Sequence, residues 1–234
     1  MLKLIKLEWK KNKIGKYMLS AVILAAFLCL FIFALAFFGI AEDADGTLDA
    51  AEGMNVISAP IELFTSMSFL VFTGVMLSSF IVSAYKNKTM NLMFSYPIKR
   101  QKILASQMLA VWLFNLAALV LTKLLIYTCV YTGAKRMRAS FLIDFDLGSP
   151  SFYAQLLLKS VVIVSMSFIA LFIGMKMKSS KATVIASFLL IFLTQANIGD
   201  FSFAGNPAVP VVLISLSFGF AVLSVVNVET KDLL

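Results

Sequence analysis

Few residues in this chain have both the chemistry and the setting to act. Lys123, Lys159 and Glu62 are ionisable groups within or at the edge of long apolar runs, and the two thiols, Cys29 and Cys129, each lie inside such a run. There is no histidine, which removes imidazole acid–base catalysis, histidine metal sites and histidine pH switching. Two cysteines cannot build a zinc cluster, and thiols in apolar surroundings behave as inert small hydrophobes. Charges inside a membrane segment are costly and often functional. Lys123, Lys159 and Glu62 could therefore meet at the outer mouth of a translocation path, where the lysines would hold an acidic group of cargo. The alternative is that both lysines snorkel, with stems in hydrocarbon and ammonium groups at the outer headgroups. The residues leave both readings open.

These residues need elements to position them, and composition dictates which. Of the 234 residues, 61% belong to the hydrophobic set and only 14% are charged, with a mean hydropathy of +0.95. Ordinary globular chains sit near 45–50% apolar and about 25% charged, so a soluble fold could not hide this surface. An integral membrane protein follows. Crossing a bilayer takes about 20 predominantly apolar residues in a helix. The sequence predicts six spans near 18–40, 61–84, 103–132, 152–176, 182–198 and 208–227, giving an all-α membrane protein that forms one transmembrane domain over 1–234. The third is too long for a single crossing and must tilt or protrude. The first exceeds the 7–15 apolar residues of a signal peptide and lacks a small-residue cleavage site, so it reads as a retained span.

Sidedness comes from basic residues. Lys3, Lys6, Lys10, Lys11, Lys13, Lys16, Lys86, Lys88, Lys99, Arg100, Lys102, Lys176, Lys178, Lys181 and Lys231 all fall on one side of the six-span arrangement. The other side holds Lys135, Arg136 and Arg138 against Glu42, Asp43, Asp45, Asp49, Glu52, Asp144, Asp146 and Asp200. Cytoplasmic loops carry the lysine and arginine excess, which places both termini in the cytoplasm. Topology thus accounts for the net charge of +8, and no basic stripe interleaved with aromatics remains to bind nucleic acid. The acidic outer loop from Glu42 to Glu52 could attract cationic peptides, or it is simply a solvated loop.

Two cytoplasmic segments stand out. Leu2, Ile5 and Trp9 share one helical face among lysines, so residues 1–16 read as an interfacial helix on the inner leaflet. In the loop 85–102, Asn87 or Thr89 can cap a short helix that Pro97 ends, with Met90, Met93 and Phe94 on one face. Such a Met/Phe face with basic ends suits docking into a groove of another protein. The alternative is a solvated loop that orients two helices. Ser160, Ser165, Ser167, Ala170, Gly174, Ala182, Ala186 and Ser187 recur through the fourth and fifth spans, where small residues permit close helix packing. Gly174 to Lys181 is the nearest approach to a phosphate-binding loop. It lacks the second glycine and the hydroxyl residue after the lysine, and follows a membrane helix instead of a strand.

The loop resembles the first cytoplasmic loop of the ABC type-2 permease family. Lys86, Lys88, Thr89, Pro97, Ile98, Lys99, Arg100 and Ile103 match its pattern. The acidic residue expected ahead of it is absent, since Ser83, Ala84 and Tyr85 stand there, and Tyr96 replaces the usual small residue before the proline. The opening MLKLIKLEWKKNK is similar to the family's amphipathic N-terminal helix. Small size and a long acidic first outer loop look most like bacterial permeases for export of, or immunity to, antimicrobial or cytolytic peptides.

The resemblance implies half of a membrane pore, multi-pass in the bacterial cytoplasmic membrane. This half would pair with a second copy or a sister permease through its first, second and fifth spans, and would be driven by two cytoplasmic ABC ATPase subunits. Thr89, Met90, Met93, Phe94 and Pro97 would then form the coupling helix that docks on the ATPase. ATP and magnesium would sit on that partner, with no cofactor, metal or catalytic residue on this chain, and peptide or hydrophobic cargo would move by alternating access. The competing readings are a secondary transporter, an intramembrane enzyme and a non-transporting immunity or sensor protein that binds a toxin peptide. The first lacks an acidic relay within spans two to six, and the second lacks acid–base groups beyond a Ser–Lys pair.

Overall fold

The computed structural model describes residues 2–11, 14–36, 57–83, 100–137, 145–195, 197–198, 201–202 and 208–231. Among the described residues seven α-helices run in chain order: α1 Leu2–Lys11, α2 Gly15–Ala34, α3 Ser58–Leu77, α4 Arg100–Met137, α5 Pro150–Lys176, α6 Ser180–Gln195 and α7 Ala208–Lys231. A π-helical turn, Ser78–Val82, continues α3. Helices prevail because a chain in hydrocarbon has no water to satisfy its N–H and C=O groups and must bond them within the segment. By length and composition four helical stretches can cross a membrane, Gly15–Ala34, Ser58–Val82, Gln101–Arg136 and Pro150–Lys176, while Ser180–Phe192 and Pro210–Val226 are shorter apolar helices. The chain has the make-up of a helical membrane protein.

Helix edges depart from the sequence expectation in physically sensible ways. The 182–198 stretch does not stay helical to its end: α6 stops at Gln195, and Asn197–Ile198 pairs antiparallel with Phe201–Ser202 in a two-residue ladder. The third predicted span, 103–132, is longer at both ends, giving α4 38 residues. That is about 57 Å at 1.5 Å per residue, against a hydrocarbon core of about 30 Å. The N-terminal segment is helical over Leu2–Lys11, and Gly15 and Lys16 already belong to α2, while residues 1, 12 and 13 lie outside the described residues. Beyond residue 36, the end of the 18–40 span lies outside the described residues, as does the loop 84–99.

Local chemistry sets the turns. Before α5, Asp146 Oδ1 accepts from the Gly148 N–H at 2.9 Å, an Asx turn. Ser149 then precedes Pro150, whose missing N–H costs nothing at a first helical position. Between α5 and α6, the Ser179 N–H donates to Gly174 O at 3.1 Å and the Lys178 N–H to Met175 O at 3.2 Å. Together with the positive φ of 49° at Lys178, these bonds make a Schellman cap in which lysine occupies the position that favours glycine. The Gly174–Lys181 segment is thus a helix end, a turn and a helix start.

Two compact units divide the chain: Met1–Ile14, Ser66–Ala117 and Leu158–Leu234 form one, and Gly15–Thr65 with Ala118–Leu157 form the other. In the second, which we term the charged unit, Leu28, Ile32, Ile57, Ile61, Leu119, Ile126 and Val130 are buried. Its α2 leaves Met18, Leu19, Val22, Ile23, Phe27 and Leu30 exposed, a surface suited to hydrocarbon. In the first, which we term the neutral unit because its buried polar side chains among the described residues are uncharged, Phe69, Leu70, Met76, Leu104, Val111, Val164 and Leu171 form the apolar interior.

The small residues of the neutral unit serve packing within the chain. Ser160, Ser165, Ser167, Ala170, Ala186 and Ser187 are all buried. A methyl group on Gly74 would collide with the Ser187 side chain, and one on Gly174 with the Thr183 side chain. Ser78, in the π-helical turn, donates to Ser180 O at 3.2 Å and ties the end of the α3 segment to the start of α6.

Candidate functional site

Lys123 and Glu62 come together. The Lys123 Nζ lies 2.6 Å from Glu62 Oε2, with the lysine side chain fully enclosed and the glutamate 17% exposed. Lys123 sits in α4 and Glu62 near the start of α3, and Thr65, one turn beyond Glu62, is buried with its hydroxyl bonded to Ile61 O at 2.6 Å. The ammonium group is enclosed by the chain, and its counter-ion is supplied by Glu62. Enclosed charges persist only when paired and hydrogen-bonded, and this pair meets that condition.

A third member was not anticipated. Tyr127 lies one turn beyond Lys123, and its hydroxyl donates to Glu62 Oε1 at 3.4 Å. The i, i+4 spacing that puts both side chains on one face of α4 is visible in the sequence and could have flagged it. Above Tyr127, Phe145 and Phe152 each meet its ring edge to face, with centroids 4.8 and 5.0 Å away, and stack on each other at 6.0 Å. Tyr153 adds a further T-shaped contact with Phe152 and donates to Leu147 O at 2.9 Å, holding the turn before α5 in place. Aromatic edges and faces arranged in this way contribute about 0.5–1.5 kcal/mol per pair beyond area burial. The result is an ion pair joined through Tyr127 to an aromatic cap, drawn from α3, α4, the turn before α5 and the first turn of α5 itself.

Lys159 is not part of this cluster. It belongs to the neutral unit and is exposed on α5. Cys29 and Cys129 are free thiols, half-buried and near enough to interact with each other.

At the N-terminus, Leu2 and Ile5 lie on α1, and Trp9 is half-buried with its indole N–H donating to Ala110 O of α4 at 3.1 Å. Trp9 therefore reaches a helix backbone as well as serving an amphipathic helix. Thr89, Met90, Met93, Phe94 and Pro97, the expected docking helix, lie outside the described residues.

The charge pair, the aromatic cap and the apolar helices define a class, a helical protein with membrane-type spans and a closed polar core. Among known proteins the chain is similar to the uncharacterized protein YcbO of Bacillus subtilis (strain 168), 26% identical over 235 residues that cover 98% of this chain and 99% of the relative. No family model matches the chain, and no solved structure matches it.

Proposed function

We propose that this chain is the membrane-spanning permease subunit of an ATP-driven ABC exporter in the bacterial cytoplasmic membrane. It moves amphipathic, antimicrobial or cytolytic peptides outward by alternating access, and a separate ATPase subunit supplies the energy. The six apolar helical segments cross the membrane with both termini in the cytoplasm, as the distribution of lysine and arginine favours. One observation carries the reading: the residue pattern of the loop between Ser83 and Arg100, which ends in Pro97-Ile98-Lys99-Arg100 and bears the Met90, Met93 and Phe94 face. Further support comes from the anchoring of the elements beside that loop. The π-helical turn before it is bonded to Ser180 O, and Trp9 of α1 is bonded to α4, the helix that follows it. A push on the loop would therefore reach α1, α3, α4 and α6 through direct contacts.

The test is the double substitution Met93→Asp with Phe94→Asp. Placing two carboxylates in an apolar docking groove costs several kcal/mol. It should abolish ATPase association and transport while membrane insertion and expression stay normal. Transport that survives the substitution removes the coupling role from this loop, and with it the main support for the exporter.

A further inference from the structure

The neutral unit buries a carboxamide that nothing among the described residues satisfies. Gln107, on α4, is 1% exposed, and neither its Nε2 nor its Oε1 has a hydrogen-bond partner among those residues. Two turns further along the same helix, Asn115 is fully buried. Its amide nitrogen donates to Val111 O at 2.9 Å and to the Met76 sulfur at 3.3 Å, but its Oδ1 is unpartnered. An unmet amide in an apolar interior costs about 1–3 kcal/mol by mutational measures and more by transfer scales. Solvent does not reach these atoms, so the arrangement seen is one in which the chain holds unsatisfied polar groups closed.

We propose that Gln107 and Asn115 are a binding site for the backbone amide groups of a peptide, shut in this arrangement and opened when the peptide binds. This deepens the exporter reading and rests on it. A glutamine carboxamide presents one donor face and one acceptor, the complement of a peptide bond. Asn115 adds a second acceptor eight residues away, about 12 Å along the helix at 1.5 Å per residue. An extended chain covers that distance in three to four residues at about 3.3 Å each, so one peptide can reach both.

The surroundings fit the same ligand. Met76, Met108 and Met166 are buried in this unit, and two of the sulfurs already accept hydrogen bonds, from Asn115 and from Ser217 at 3.6 Å. Thioether side chains are soft and repack readily, which suits apolar side chains of varied shape. Amides that read the backbone beside methionines that tolerate the side chains would accept amphipathic peptides with little regard to sequence.

The experiment uses the full chain in phosphatidylcholine vesicles, with protein-free vesicles to subtract partitioning. The probe is a fluorescent 12-residue Leu/Lys peptide and its backbone N-methylated counterpart, which keeps the side chains and loses the amide donors. The native chain should bind the plain peptide about tenfold more tightly, the order expected when a buried polar group loses its partner. Gln107→Met with Asn115→Leu, which removes both acceptors, should erase that preference, and Gln107→Met alone, close to isosteric, should weaken it so far that little survives. Relieved of an unpaired amide, the variant should also melt about 3 °C higher in detergent, the shift that about 1 kcal/mol makes in a chain of this size.

Equal binding of the two peptides, a preference that survives Gln107→Met, or a melting temperature unchanged or lowered each overturns the site. Should Gln107→Met fail to fold, Gln107→Leu gives the same readouts. A peptide preference without ATP-driven transport keeps the site and removes the exporter, whereas transport indifferent to Gln107→Met keeps the exporter and removes the site.

Discussion

The two units solve the same problem, polar atoms in an apolar interior, in opposite ways. The charged unit gathers its polarity into one ion pair, Glu62 with Lys123, and joins it through Tyr127 to Phe145 and Phe152. The neutral unit spreads its polarity over hydroxyls and amides. Several of these bond within their own helix, as Thr73 does to Phe69 O and Ser217 to Leu213 O, and others are left unmet, as at Gln107. A charge cannot be left half satisfied in a low-dielectric interior, so the first arrangement is all or nothing. Neutral groups cost less when unpaired, so the second can tolerate more than one packing.

That contrast can be broken most forcefully at Glu62. Glu62→Ala leaves Lys123 enclosed without a counter-ion and should destabilise the protein by about 3–5 kcal/mol, seen as a large fall in melting temperature or loss of monodisperse protein in detergent. The double variant Glu62→Leu with Lys123→Met removes both charges and should recover most of that loss. If the single and double variants are equally damaged, the pair is not what holds the charged unit together.

The neutral unit is expected to fail through shape. Gly74→Val drives a branched side chain into Ser187, and overpacking of this kind costs about 1–3 kcal/mol. The companion variant Gly74→Val with Ser187→Gly should restore stability, because the added volume is met by space. A melting curve unmoved by Gly74→Val would mean that α3 and α6 are not in close contact there. The smallest effect is expected at Lys178→Gly, where the left-handed backbone should gain about 0.5–1 kcal/mol from losing its Cβ, a rise of a few degrees at most. A loss of stability would show that the lysine side chain contributes more than the backbone strain costs.

The helices were legible because hydropathy over twenty residues is a long-range average that tertiary contacts rarely overturn. Their ends were not. Gln195-Ala196-Asn197 is polar enough to signal a stop, but the ladder at Ile198 and Phe201 depends on a partner strand. Lys123 and Glu62 stood out as charges at one end of two spans, yet their pairing is a tertiary fact, as is the enclosure of the Lys123 side chain. Tyr127 was readable by its one-turn spacing from Lys123, whereas Phe145 and Phe152 enter from a turn whose course no periodicity gives. Trp9 signalled an interface, and its bond to Ala110 could not be read, since amphipathicity states which face of a helix is apolar and not what that face meets. Gln107 and Asn115 were visible as polar interruptions of an apolar run. Only burial with amide atoms left unmet gives them meaning.

The exporter reading stands or falls on a partner. Purification of the tagged full-length chain in mild detergent, from cells co-expressing its genomic neighbours and with a non-hydrolysable ATP analogue present, tests it directly by mass spectrometry of what co-elutes. A stoichiometric soluble protein with an ATP-binding phosphate loop is the predicted result. Elution of the chain alone under those conditions would contradict the exporter and leave a membrane immunity or sensor protein as the better account.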